Sequence, residues 1–166
     1  MDNLPQLAQI NVARMLAPLD SPVMAEFVAN LESINALAEQ SPGFVWRLQS
    51  GGGDATAIRA FDDPLILVNM SVWETMDALH DYVYRSAHGG VARKRRQWFE
   101  PISEPYYALW WVPRGHIPTI EEGKARLSHL ARTGASAHAF WFGQAFAADG
   151  TSSPRPESRV VRRATD

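Results

Sequence analysis

Apolar and polar side chains alternate along two stretches of this chain, and the alternation predicts strands over residues 7–15 and 65–73. Successive strand residues point to opposite faces of a sheet. Ile66, Val68, Met70 and Val72 therefore share one face, and Leu67, Asn69, Ser71 and Trp73 share the other. The first strand repeats the pattern, with Ile10 and Val12 on one side and Gln9 and Asn11 on the other. Neither face reads as solvated, because the second mixes Leu65, Leu67 and Trp73 with its amides. The expected arrangement is a sheet with helices on its aliphatic face and a semi-polar, aromatic cavity on the other.

Helical spacing and turn chemistry supply the remaining elements. Asp20-Ser21-Pro22 combines a capping side chain with proline for a first turn. Met24, Phe27, Leu31, Ile34 and Ala38 then recur at helical spacing as far as Gln40, where Ser41-Pro42-Gly43 ends the run. A strand is expected over 44–49, a brief extension over 58–61, and a helical region over 74–99 with a break at Gly89-Gly90. A fourth strand follows over 106–112. Thr119 to Glu122 has the spacing of a capping box and opens a helix to about Arg132. Residues 140–146 read as a short apolar strand for a sheet edge, paired within the chain or across a dimer.

The order strand, helix, strand, strand, helix, strand is the split βαβ pattern, so the fold class is α+β, ferredoxin-like, with an antiparallel sheet. In that reading two helices cover one sheet face and the other is bare, which makes a face-to-face homodimer the natural way to bury it. One domain is expected over residues 1–146, and residues 147–166, rich in Gly, Ser, Pro and Arg, read as a disordered tail.

Composition narrows the partners. Net charge is −2, which provides no bulk attraction to nucleic acid or an anionic membrane. The chain has no cysteine, so thiol catalysis, disulfides and thiolate metal sites are out of reach. The start, Met-Asp-Asn-Leu-Pro, has neither a basic region nor an apolar run, and no stretch has the length of a membrane span. A cytoplasmic protein with no membrane partner is expected. The basic run 93–96 is followed by Glu100 and Glu104 and reads as a solvated helix end rather than a nucleic-acid contact.

Several separate motifs occur in one order: Tyr84-Arg85-Ser86-Ala87-His88, Trp98-Phe99, Leu109-Trp110-Trp111-Val112-Pro113 with Gly115, then Pro118, Arg126-Leu127 and Ala139-Phe140. Together they resemble the family catalogued as domain of unknown function 3291, over roughly residues 5 to 146. The resemblance implies the dimeric α/β-barrel superfamily, whose members include antibiotic-biosynthesis monooxygenases, haem-degrading monooxygenases and lactone isomerases. Branches of that superfamily use an asparagine on the first strand and an aromatic, with a histidine, on the second helix. By that resemblance Asn11 takes the asparagine's place, Trp73 the tryptophan ending strand three, His88 the histidine, and Tyr82 stands near a second tryptophan.

The residues themselves suggest chemistry alongside this. Tyr84, His88, Val91, Arg95 and Trp98 form one stripe if the helix is continuous. In it His88 is the candidate acid or base, and Arg95 a grip for a carboxylate or phenolate; the plain alternative is a helix edge at a dimer interface. Asn11 and Asn69 are candidates to steady a developing oxyanion, or else satisfy each other in a buried interface. Trp73, Tyr84, Trp46 and one of Trp110 and Trp111 are candidates to stack on an aromatic ligand, against the ordinary role of core packing. His80 and His88 lie eight apart without a carboxylate on their face, so no metal is expected, and His116, His129 and His138 read as surface or capping residues. The functional expectation is a small-molecule-binding protein, either a cofactor-independent monooxygenase-like enzyme or a non-catalytic dimer, with haem binding through His88 a weaker alternative.

Overall fold

The computed structural model describes residues 3–50, 53, 55–56, 58–87, 94–101 and 105–153. Strand β1 (Gln6–Arg14) leads through a short turn to helix α1 (Ala25–Gln40), followed by β2 (Phe44–Arg47) and β3 (Ile66–Trp73). Helix α2 (Met76–Ala87), the single-turn helix α3 (Arg95–Trp98), β4 (Tyr107–Val112) and helix α4 (Ile120–Thr133) complete the order. The four strands form one antiparallel sheet in the order β2-β3-β1-β4, which is the expected ferredoxin-like topology.

Local chemistry accounts for the helix starts and one tight turn. Ser21 Oγ accepts from the Val23 amide ahead of α1, and Thr119 Oγ1 accepts from the Glu122 amide at 3.1 Å to open α4. Gly43, at φ 83°, turns the chain between α1 and β2. A Cβ there would lie 2.6 Å from Ala78 Cβ, so the glycine also lets α2 come close.

The distribution of helices over the sheet corrects the sequence expectation. The aliphatic face (Ala8, Ile10, Val68, Met70, Val72, Ala108, Trp110 and Val112) is buried under α4 of the same chain, through Leu130 and the half-buried Ile120 and Leu127. Gly123 makes this approach possible, since a Cβ would meet Ile10 Cδ1 at 2.9 Å and Met70 Cε at 3.0 Å. Helices α1 and α2 lie instead over the face that carries Asn11, Asn69 and Trp73. The reason is topological: β1 and β2, like β3 and β4, run parallel with one strand between them and are joined by crossovers, and right-handed crossovers place both helices on one side. Face-to-face dimerisation was expected to bury a bare sheet face. Within one chain both faces are already covered, so the feature that motivated it is missing.

Segments beyond the sheet are tied down in unexpected ways. Of residues 140–146, only Phe140 pairs with the sheet, exchanging two 2.9 Å backbone bonds with Leu109 at the free edge of β4 in its own chain. The backbone then turns, and the Phe146 carbonyl accepts from Trp111 Nε1 at 2.8 Å. Residues 147–153 continue as a turn, with Ala147 N donating to Thr151 O and Ser153 N to Ala145 O. Residues 58–60 form no strand; they lie against the aliphatic cluster, and Lys124 Nζ donates to Ala60 O at 2.6 Å. Among the described residues, no helix is long and apolar enough to cross a membrane.

Candidate functional site

A cavity of about 460 Å³ opens between the amide face of the sheet and the helices above it. The sheet contributes Asn11, Ala13, Leu67 and Asn69; α1 contributes Phe27, Leu31, Ile34 and Asn35; Tyr82 and Val83 come from α2. Arg95, Trp98 and Phe99 close one end, with Tyr106 beside them. Alternation puts the sheet residues there: Asn11 and Asn69 are direct partners across β1 and β3, and Tyr107 is the partner of Asn11 on the β4 side. The inward stripe of α1 roofs the cavity because Phe27, Leu31, Ile34 and Asn35 follow helical spacing.

The two asparagines do not satisfy each other. Asn11 Nδ2 lies 2.9 Å from Gln9 Oε1, Gln9 Nε2 lies 2.8 Å from Ser71 Oγ, and Trp73 Nε1 donates to Ser71 Oγ at 2.9 Å. A chain of side-chain hydrogen bonds thus runs from the cavity wall along the sheet to the buried indole, while Asn69 is exposed to the cavity. Arg95 is the only charged side chain among the described lining residues, and its guanidinium sits over the rings of Phe99 at 5.5 Å and Tyr106 at 5.8 Å. Burial raises the Tyr82 phenol above its ordinary value, with Arg47 opposing. The Tyr107 phenol is raised likewise by burial, and its oxygen accepts from the Phe142 amide. An apolar, ring-lined space with amides and one cation suits a planar ligand that carries oxygen acceptors or a negative charge.

The sequence-predicted residues fall into five groups. Asn11, Asn69 and Arg95 meet in the cavity. Trp73 lies behind it: the side chain is fully buried, and Tyr82 stacks on it with ring centroids 5.0 Å apart. Trp46 and Trp110 are on the opposite, aliphatic face, where Trp110 Nε1 donates to Glu122 and the ring carries Arg126 at 5.9 Å. Their expected contact with a ligand in the cavity is corrected by β-strand parity, which pairs Trp110 with Ala8 and Trp46 with Val72. Tyr84 is 61% exposed, because Leu79 and Tyr82 define the inward side of α2 and Tyr84 is two residues past it. His88 lies outside the described residues, as does the part of the stripe from 88 to 93, and α2 and α3 are separate helices.

Sequence reasoning missed Asn35 and left Tyr82 without a role. Both carried a signal: Asn35 sits four residues after Leu31 and three before Ala38, and Tyr82 three after Leu79, each within an apolar helical stripe. In the basic run, Lys94 pairs with Glu26 on α1 and Arg95 faces the cavity. His116 joins Glu122 at 2.8 Å, and His129 and His138 stack edge to face. No group of three or more metal-ligating side chains exists among the described residues. Neither an imidazole nor a thioether is among the described lining residues, and His88, the expected haem ligand, lies outside them.

Comparison with known proteins places the chain in a family but not in a reaction. Among solved structures, the cofactor-independent oxygenase SnoaB from Streptomyces nogalater aligns at a TM-score of 0.45 and 19% identity, over 70% of this chain and 100% of that one. PA3566 from Pseudomonas aeruginosa aligns at 0.44 and 13% identity, over 70% and 100%. NE2512, a protein of unknown function from Nitrosomonas europaea, aligns at 0.43 and 11%, over 71% and 97%. Likenesses this distant carry nothing about chemistry. No curated protein matches the chain significantly. The family model described as a domain of unknown function, DUF3291, matches residues 6–156, and this chain belongs to that family.

Proposed function

We propose that the cavity binds a small planar aromatic or polyketide-like molecule, and that the protein acts on it as a cofactor-independent monooxygenase or a related isomerase or cyclase. The observation that carries this reading is the convergence of Asn11, Asn35, Asn69 and Arg95 on a space otherwise walled by aromatic and aliphatic side chains. Loss of a proton from carbon leaves an enolate or phenolate oxygen, and amide N–H groups and a guanidinium stabilise charge at such an oxygen. His88, next to α2 in sequence, is the proposed base. Tyr82 and Trp98 would bound the ring system.

A second reading has its own support. Among the described lining residues there is no carboxylate and no histidine, so nothing described there moves a proton near neutral pH. On that reading the protein binds the same class of molecule without transforming it. Titration of the full chain with anthrone, 1-naphthol and 1-tetralone, followed by calorimetry, tests binding; oxygen uptake with anthrone tests oxygenation. The enzyme reading expects oxygen consumption that falls about 100-fold in Asn69→Ala and is abolished in His88→Ala. Binding without turnover of any probe selects the binder, and no binding of any probe overturns both.

A further inference from the structure

We infer that Trp73 serves the cavity at a distance: it is the fixed donor end of the chain Trp73–Ser71–Gln9–Asn11, which turns the Asn11 amide so that its N–H groups face the ligand space. Gln9 and Ser71 are then positioning residues, and Trp73 sets their direction.

An indole N–H can only donate, so Ser71 Oγ must accept from Trp73 at 2.9 Å. With the amides oriented as in the structure, Ser71 Oγ also accepts from Gln9 Nε2, and Gln9 Oε1 accepts from Asn11. The Ser71 hydroxyl proton then has no acceptor among the described residues, on a side chain that is 6% exposed. A buried donor without an acceptor is costly. Turning both amides end for end preserves every heavy-atom contact, because amide oxygen and nitrogen are nearly the same size. Ser71 then donates to the Gln9 carbonyl and Gln9 donates to the Asn11 carbonyl, so the unpaired proton moves from buried Ser71 to Asn11, which is half-buried at the cavity wall. An oxygen that already accepts from the indole is the better donor for it, so Trp73 biases Ser71 toward donating, and the Gln9 and Asn11 bonds follow in turn.

The consequence concerns the ligand. An Asn11 amide held by its carbonyl presents two N–H groups to the cavity, beside the cationic Arg95. The ligand atom that meets Asn11 is therefore a carbonyl, enolate or phenolate oxygen rather than an N–H or O–H donor. This consequence rests on the proposed ligand-binding reading of the cavity; the direction of the chain does not.

Through-hydrogen-bond couplings in the full chain, labelled with ¹⁵N and ¹³C and without ligand, read the direction. The expected result is a coupling from Gln9 Nε2 to Asn11 Cγ that disappears in Trp73→Phe, a variant that keeps a ring for Tyr82 and Phe44 to pack against. A coupling from Asn11 Nδ2 to Gln9 Cδ overturns the inference. So does the absence of both couplings, which means the amides average, and so does a coupling unchanged in Trp73→Phe. The ligand consequence is read with 1-tetralone, which offers only a carbonyl acceptor. In Gln9→Glu the carboxylate accepts only, so Asn11 turns its N–H away from the cavity, and affinity for 1-tetralone should fall about tenfold. Undiminished tetralone binding in Gln9→Glu overturns the consequence. If the natural chain binds no tetralone but the coupling is present, the ligand reading of the cavity fails and the chain's direction stands.

Discussion

The two faces of this sheet start from the same strands and finish differently. On the aliphatic face, Ile10, Met70, Val72 and Trp110 are buried under a single helix that comes close because Gly123 has no side chain to hold it off. On the amide face, two helices bridge the sheet on large side chains: Tyr82 rests on Trp73, and Phe27 packs against Trp98 and Phe99. Between these supports the roof does not reach Asn11 and Asn69, and the cavity remains. Close packing needs complementary shapes on both sides of an interface. A glycine against short aliphatic side chains meets that need, whereas indoles and phenyl rings at the edges of a polar patch prop it open. One face is therefore close-packed, and the other keeps a cavity.

That contrast can be broken from the sealed side with the largest effect. Trp110→Ala should destabilise the fold by about 3–5 kcal/mol, as large aromatic truncations in cores do, measured by urea denaturation. Ligand uptake by the fraction that remains folded should be unchanged, since Trp110 is not a cavity residue. A loss below about 1 kcal/mol would mean that α4 does not seal this face. From the open side, Leu31→Trp places an indole in the cavity. Affinity for 1-naphthol should fall at least about tenfold while stability moves by no more than about 1 kcal/mol, because the added ring enters empty space instead of a packed core. A large loss of stability would show the cavity to be filled.

The smallest effect sharpens the comparison through pH. Burial raises the Glu122 carboxyl, but bonds from His116 and Trp110 outweigh it and hold the group below the ordinary carboxylate value. A carboxyl depressed by folding adds stability that is present above its unfolded value and lost as pH falls through the folded one. Glu122→Gln should therefore cost about 1 kcal/mol at pH 7, and the two denaturation curves should converge as the pH falls from about 5 to 3. Curves that stay parallel throughout would show that the carboxylate's charge contributes nothing to anchoring α4 over the sealed face.

Much of the fold was legible because it rests on local rules. Alternation in 65–73 marked β3 and assigned Asn69, Ser71 and Trp73 to one face; the same parity paired Asn11 with Asn69 once the strands were neighbours. Ser21, Pro22 and Thr119 marked helix starts. The site was legible in part, since Asn11, Asn69 and Arg95 do share one cavity. Trp46, Trp110 and Tyr84 misled because aromatic character says nothing about direction: strand parity turned the tryptophans toward α4, and helix phase turned Tyr84 outward.

The chain's own sequence thus determined the strands, the helices, their order and which residues share a face, because backbone geometry repeats every two or 3.6 residues regardless of what lies nearby. Only the tertiary structure decided which helix covers which face. Crossover handedness put α1 and α2 over the amides, and α4, with no crossover to obey, took the aliphatic side through Gly123. The same long-range packing moved Trp73 from a ligand's neighbour to the buried end of a hydrogen-bond chain, since Tyr82, nine residues on in sequence, stacks on its ring and separates it from the cavity.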